Sequence, residues 1–268
     1  MDDKSVEKRL QLVKEKLQTE IFSAERLIYL KSIDSTNAEL KRRIAEGAVS
    51  GTVVWAEEQT AGRGRLDRKW SSAAEKGIAC SVLLECSDIQ NAFQYSFVAA
   101  VAVAEGIAKT TGLAPQLKWP NDVLLAKKKV CGILLELTGQ YLIIGFGLNV
   151  NQKQEDFPED LKEKAVSLAL LMDCDLAREE ILAEILNSLE RNHLLMQQRG
   201  FKAIAEKWTQ LCAIIGADVI VSGAGQTVLE GTVLGLREDG ALLLQTEKGE
   251  KAIISGDVSL RGKNTNYI

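Results

Sequence analysis

The 268-residue sequence is poor in several residue types, and each shortage narrows its chemistry. It has one histidine, His193, so a His-based catalytic triad or a histidine metal centre has a single candidate, better read as a helix-face residue. It has three prolines, and aromatic residues make up only 5%. The five cysteines (Cys80, Cys86, Cys131, Cys174 and Cys212) are odd in number and form no CxxC pair, which argues against a disulfide framework and a structural zinc site. They read as reduced thiols. No apolar run approaches the ~20 residues needed to cross a bilayer, and the first residues lack an apolar signal core. A cytoplasmic protein without membrane association is the expectation. Neither GxxxxGK[ST] nor a strand–GxGxxG–helix occurs, and no Ser, Cys or Lys stands in a known nucleophile context.

What is present is an ordinary globular balance, 46% hydrophobic and 26% charged, with a net charge of −4. An anion-binding surface must therefore be local, and nothing global points to nucleic acid. Val6, Leu10, Val13 and Leu17 form one stripe of a helix over residues 5–20. GTVVWA (51–56) and GIACSVLL (77–84) read as strands, and 91–111 as a buried helix with an Asn91–Gln94 capping box, stopped by Gly112 and Pro115. From 116 to 150, QLKW, DVLLA, VCGILLEL and YLIIGFGLNV make an antiparallel meander. Residues 161–172 and 176–199 read as helices, the second capped by Asp175. After about Gly216, short apolar runs alternate with glycine-rich turns, the pattern of a small β-barrel. This gives an α+β chain in three parts: an N-terminal helix in 1–26, a catalytic domain over 27–213, and a small barrel over 214–268.

Two segments carry chemistry. TAGRGRLDRKW (60–70) sets Arg63, Arg65, Arg68 and Lys69 against one acid, Asp67, while Gly62 and Gly64 permit close backbone approach. It reads as an anion-gripping loop, since guanidinium forks suit carboxylate and phosphate oxygens; the bland alternative is a solvated basic turn. KWPNDVLLAKKKVCG (118–132) fixes Asn121 and Asp122 beside Pro120, and Asp122 is a candidate Mg²⁺ ligand of the kind that works with substrate phosphates. Lys118 and Lys129 could neutralise phosphate; the alternative is a polar turn and a lysine-rich hairpin tip. Together the two describe a site for a triphosphate and an acidic small molecule, working by positioning and charge rather than a covalent intermediate.

The order DSTN (34–37), EEQTAGRGRLDRKW (57–70), KWPND (118–122), KVCGILLE (129–136) and GFGLNVN (145–151) resembles the biotin–protein ligases, from about residue 27 to the end. The resemblance implies a mixed, largely antiparallel sheet with flanking helices, of the class II synthetase-like biotin–lipoate ligase type, plus an SH3-like barrel. It implies ATP, Mg²⁺ and biotin as ligands, biotinyl-AMP as intermediate, and a lysine of a biotin carboxyl carrier protein as acceptor. Carried onto this sequence, Ser35, Thr36, Asn37 and Gln59 would line the biotin pocket, with Arg63, Gly64 and Arg65 closing over it. Arg65 would hold the adenylate, and Lys129 would contact the reacting carboxylate and α-phosphate, with Gly132 letting its strand approach biotin. Arg68, Trp70, Lys118, Asn121 and Asn149 would serve ATP, and Asp122 the metal. Leu66–Asp67 departs from the more basic or glycine-containing pair of many members. The DNA-binding domain of the bifunctional members has no counterpart ahead of residue 27, so the monofunctional type, without DNA binding, is expected. A lipoate-type ligase of the same fold and a non-catalytic biotin-binding regulator are the rivals. Edge strands would allow a homodimer.

Overall fold

The computed structural model describes residues 3–65, 68–71, 73–86, 88–222, 228–254 and 259–262. The N-terminal stripe forms helix α1 (Asp3–Lys16), which buries Val13 completely. It stops short of residue 20 because the chain there is taken over by a long helix further on: the Glu190 carboxylate accepts the backbone N–H groups of Glu20, Ile21 and Phe22.

The main sheet has seven strands: β1 (Leu27–Ile33), β2 (Val53–Gln59), β3 (Gly77–Glu85), β4 (Gln116–Lys118), β5 (Asp122–Leu125), β6 (Lys128–Thr138) and β7 (Tyr141–Asn149). Their order is β1-β2-β3-β7-β6-β5-β4. Only β1 and β2 run parallel, joined through helix α2 (Thr36–Ala45), so the sheet is mixed and largely antiparallel as expected. One face is covered by α3 (Tyr95–Thr111), α5 (Arg178–Arg199) and α6 (Phe201–Leu211). Strands buried on both sides read as unbroken apolar runs, which is why β2, β3 and β7 lack clean alternation.

The other face is covered only in part. There α2 packs Leu40 on Val54, Leu83 and Ile143 and reaches no further. The remainder is paved by Gly132 of β6 and by Gly145 and Gly147 of β7; Gly132 pairs with Gly147, and Gly145 pairs with Leu134. This bare strip is where the site forms.

Three local expectations are corrected. Asn91 and Gln94 do not cap α3: Ile89–Gln94 is a separate 3-10 turn capped by Asp88, whose carboxylate accepts the Asn91 N–H. Asp175 does not cap α5, which starts after Ala177 with no side-chain cap; its first residue, Arg178, is instead drawn inward to Glu57 at 2.7 Å. Residues 161–172 are not one helix. Their backbone is diverted to pair with Lys129, whose N–H donates to Lys164 O at 2.8 Å and whose carbonyl accepts Val166 N–H, leaving only α4 (Leu168–Met172) helical.

The second sheet has β8 (Asp218–Ser222), β9 (Val228–Leu236), β10 (Leu242–Thr246), β11 (Gly249–Ile253) and β12 (Ser259–Gly262), in antiparallel order β11-β10-β9-β8-β12. It is consistent with the small SH3-like barrel. Its β9–β10 turn touches the main body: Trp119 Nε1 donates to Gly240 O at 3.4 Å. Gly240 has φ +83°, and a Cβ there would stand 2.9 Å from Phe93. No helix among the described residues is long and apolar enough to cross a membrane.

Candidate active site

A cavity of about 570 Å³ lies on the bare half of the sheet. Every residue expected to meet a ligand lines it. Ser35, Thr36 and Asn37 enter from the start of α2 and Gln59 from the end of β2. Arg63, Gly64, Arg65, Arg68 and Trp70 come from the loop after β2, Lys118, Asn121, Asp122, Lys129 and Gly132 from β4–β6, and Asn149 from the end of β7. The glycines make the floor. A Cβ on Gly145 would lie 2.2 Å from Asn37 Oδ1, and one on Gly147 would lie 2.3 Å from Trp70 Cε2. Asn37 and the Trp70 indole can therefore lie flat on the sheet only because these positions carry no side chain.

One end of the cavity is a buried network of neutral hydrogen-bonding groups closed by one acid. Thr36 N donates to Gln59 Oε1 at 2.8 Å. Ser81 Oγ, from the middle of β3, lies 2.6 Å from both Thr36 Oγ1 and Asn37 Oδ1. Asn37 Nδ2 donates to Glu136 Oε2 at 2.8 Å, and Lys41 Nζ donates to the other carboxylate oxygen at 2.6 Å. Ser35, Thr36, Asn37 and Ser81 are all buried.

The other end is charged. Lys129 Nζ stands 2.7 Å from Asp122 Oδ1 and 5.6 Å from the centre of the Trp70 ring. Asp122 Oδ1 is buried and accepts no hydrogen bond among the described residues, so the Lys129 ammonium meets its charge without satisfying its lone pairs. The loop over this end is a narrow hairpin: Gly64 N–H donates to Arg68 O, and Trp70 N–H donates to Gly62 O. A Cβ on Gly62 would lie 2.6 Å from Trp70 O, which explains that glycine. Leu66 and Asp67 lie outside the described residues. Arg63 and Arg68 are exposed.

Two expected residues have their amides engaged by the protein. Asn121 Nδ2 donates to Ile133 O at 2.6 Å. Asn149 donates to Val166 O and accepts from Gln152 Nε2. These bonds hold the KWPND turn and the segment after β7. That segment, through Phe157, Pro158, Leu161 and Lys164, walls the charged end; nothing in the sequence marks this, since 153–160 is irregular and 161–172 reads as a helix. Ser81 was missed because it sits inside an apolar strand.

Nothing elsewhere among the described residues competes as a reactive centre. His193 lies buried on α5, its Nδ1 2.9 Å from Tyr95 Oη; burial pulls its pKa below the ordinary value, although Glu190 pulls the other way. Burial pushes the Cys80 and Cys131 thiols up, away from thiolate chemistry. Among the described residues no three His, Cys, Asp or Glu side chains are grouped to cage a metal. The arrangement can read a neutral polar group at one end, pass an apolar stem over bare sheet, and meet anionic oxygens with lysine and arginine at the other.

Residues 29–149 match the model of the Biotin/lipoate A/B protein ligase family, and residues 214–261 match the Biotin protein ligase C terminal domain. The chain is 36% identical over 250 residues to the bifunctional ligase/repressor BirA of Bacillus subtilis, over 91% of this chain and 76% of that protein. It is 34% identical over 230 residues to the biotin–[acetyl-CoA-carboxylase] ligase of Mycobacterium tuberculosis, over 84% of this chain and 85% of that one. Its structure is similar to that of the biotin protein ligase from Aquifex aeolicus in complex with biotin and ATP, with a TM-score of 0.80 and 38% identity over 88% of this chain and 99% of that one.

Proposed function

Since the chain belongs to the biotin protein ligase family, we propose that it activates biotin with ATP and transfers it to a lysine of a carrier protein. A biotin carboxylate oxygen attacks the α-phosphorus of ATP, forming biotinyl-AMP and releasing pyrophosphate. The ε-amine of the acceptor lysine then attacks the acyl carbon, the bond to the AMP oxygen breaks, and the amine proton is lost. The observation that carries this reading is a single cavity with a neutral hydrogen-bonding end, a side-chain-free floor and a cationic end.

The division of labour follows from the chemistry of each end. Ser35, Thr36, Asn37 and Gln59 take the ureido ring, and the floor at Gly132 takes the valeryl stem. Lys129 bridges the biotin carboxylate and the α-phosphate, where its charge offsets the negative charge that develops in the transition state. Arg65, with Arg63 and Gly64, closes over the adenylate and keeps out water, which would hydrolyse the mixed anhydride. Arg68, Trp70 and Lys118 serve the nucleotide, while Asn121 and Asn149 act by holding the turn and wall that shape its site. Asp122 fits Mg²⁺: its buried Oδ1 meets only the Lys129 ammonium, at 2.7 Å, which the biotin carboxylate and α-phosphate would draw away, and Mg²⁺ takes one or two carboxylates together with phosphates. When bound, the ion would neutralise phosphate charge.

The acceptor is a biotin carboxyl carrier domain of a biotin-dependent carboxylase, and five unpaired thiols suit the cytoplasm where such enzymes work. We take 27–213 as the catalytic unit and the region from 214 as the small domain; the family match at 214–261 and the onset of β8 at Asp218 support that division. The neutral end also favours biotin over lipoate. A dithiolane ring offers no hydrogen-bonding group, and sites built to bond a polar group reject analogues that lack it.

The test is ATP- and Mg²⁺-dependent transfer of labelled biotin to a purified carrier domain, with lipoate in parallel. Transfer of biotin that is lost with the acceptor lysine is expected. Transfer of lipoate alone would overturn the substrate, and biotin binding without transfer would make the protein a regulator.

A further inference from the structure

We infer that Glu136 is a positioning residue that sets the donor–acceptor polarity of the biotin pocket. The inference rests on the biotin reading above. Glu136 projects from β6 toward the start of α2, and three groups converge on its carboxylate. Lys41 Nζ lies at 2.6 Å, Asn37 Nδ2 at 2.8 Å and Arg63 Nη2 at 3.4 Å. Its effect on the pocket travels through Asn37.

The chain of consequences follows from counting protons. An ionised carboxylate only accepts, so the Asn37 atom facing Glu136 is the amide nitrogen and Oδ1 faces Ser81. Ser81 has one hydroxyl proton, and it goes to Asn37 Oδ1, which has none to give. The 2.6 Å contact between Ser81 Oγ and Thr36 Oγ1 then takes its proton from Thr36. Thr36 Oγ1 also lies 3.1 Å from Gln59 Oε1, which has a second lone pair beside the one that takes the Thr36 N–H, but the 2.6 Å contact to Ser81 is the shorter and takes the hydroxyl proton. With its oxygen so held, the Gln59 amide nitrogen is left as a donor. The Glu136 charge thus fixes the rotors from β6 as far as Thr36, and the Thr36 backbone N–H fixes Gln59. What remains for the ligand is the Gln59 NH₂ and the second Asn37 N–H as donors, with a Thr36 Oγ1 lone pair as acceptor. A ureido ring matches that set at its carbonyl, which accepts from these donors, and at one of its two N–H groups, which donates to Thr36 Oγ1.

The charge is well held. Burial pushes the Glu136 carboxyl up, but Lys41, Asn37 and Arg63 more than offset this and keep it below the usual carboxylate range. Gly145 is the geometric partner of the device, because any side chain there would strike Asn37 Oδ1.

The test compares the full-length wild type with Glu136→Gln, Ser81→Ala and Asn37→Ala, alone and with Glu136→Gln added to Asn37→Ala. Affinities for biotin, 2-iminobiotin and ATP are measured by calorimetry. The substituted glutamine keeps the shape but can both donate and accept, so Asn37 is free to turn over. Glu136→Gln is expected to weaken biotin about tenfold, the scale of one charge-assisted hydrogen bond. ATP affinity should stay within about twofold on the same scale. The preference for biotin over 2-iminobiotin, which replaces the ureido carbonyl by a protonated imine, should shrink. Ser81→Ala should lose biotin affinity in the same direction, which keeps the inference testable if Glu136→Gln fails to fold. In the Asn37→Ala background Glu136→Gln should add little. An unchanged biotin/2-iminobiotin ratio in Glu136→Gln and Ser81→Ala, or additive losses with Asn37→Ala, would overturn the positioning role. Failure of the wild type to bind biotin at all would instead defeat the functional reading.

Discussion

The two ends of the cavity are built on opposite principles. At the neutral end Thr36 and Asn37 are each only 3% exposed, and each of their side-chain polar atoms already has one partner before any ligand arrives. At the charged end the Lys129 side chain is 30% exposed, and Arg68 and Lys69 are exposed. The difference follows from what each end can tolerate without its ligand. A buried neutral group needs partners at once, since leaving one unsatisfied costs about 1–3 kcal/mol. A cation can wait in water at little cost, whereas burying it unpaired would be far more expensive. Recognition is thus preassembled, whereas at the charged end Lys129 rests on Asp122 and Arg68 and Lys69 stand in water until an anion arrives.

The strongest way to break that comparison is Lys129→Ala. Loss of one preorganised charge at the reacting atoms should slow adenylate formation by about 10²–10³, while biotin affinity without ATP falls much less. The variant leaves the Asp122 carboxylate without its ion partner, so the melting temperature should also drop. Adding Asp122→Asn should restore the melting temperature but not the rate. Pyrophosphate release near the wild-type rate from folded Lys129→Ala would remove Lys129 from the chemistry. Collapse of biotin binding to the same extent as the rate would show that the two ends do not work separately.

A smaller effect separates the floor into its halves. Gly145→Ala drives a methyl into Asn37, and Gly147→Ala drives one into the Trp70 indole. The first should weaken biotin by about tenfold, the scale of one lost hydrogen-bond arrangement, with ATP little changed. The second should leave biotin affinity nearer wild type and raise the leakage of biotinyl-AMP into solution, measured by its hydrolysis without acceptor. If the two variants behaved alike, the floor would be one surface rather than two.

The charged end was the more legible of the two in the sequence, and for a physical reason. Arginines alternating with glycines, and a proline beside Asn121 and Asp122, stand out because exposed chemistry is written in uncommon residues. The β4–β7 meander was legible from its apolar runs and turns. The neutral end is made of common residues whose meaning lies in their neighbours. Ser81 looks like a polar accident in an apolar strand, Gly145 and Gly147 like strand glycines without purpose, and Glu136 like the end of a motif. Helix α2 offers only Leu40 and Ile44 as well-spaced apolar positions among charges and does not stand out, whereas α6, absent from the expected elements, does carry a helical stripe in Phe201, Ile204, Trp208 and Leu211. The wall from 153 to 160 has no period because it is made of 3-10 turns, and 161–166, which reads as helical, has its backbone spent on Lys129 instead.

The smallest expected effect comes from salt, and it sharpens the same contrast. The screening length falls from about 10 Å at 0.1 M to about 3 Å at 1 M, so exposed cations lose reach while buried neutral hydrogen bonds do not. Arg68 and Lys69 are exposed, and ATP carries most of the charge they would meet. Raising sodium chloride from about 0.05 to about 0.5 M at fixed Mg²⁺ should therefore weaken ATP binding several-fold. Biotin bears a single charge and is gripped chiefly through its neutral ring, so its affinity should change by less than about twofold on the same argument. Biotinol, the alcohol that replaces the carboxylate, should be the least sensitive of the three, because it leaves only the neutral end in play. Calorimetric titrations of the three ligands over one salt series would show the order. Equal slopes for ATP and biotinol would mean that the neutral end is held by long-range charge after all, and the division between the two ends would fail.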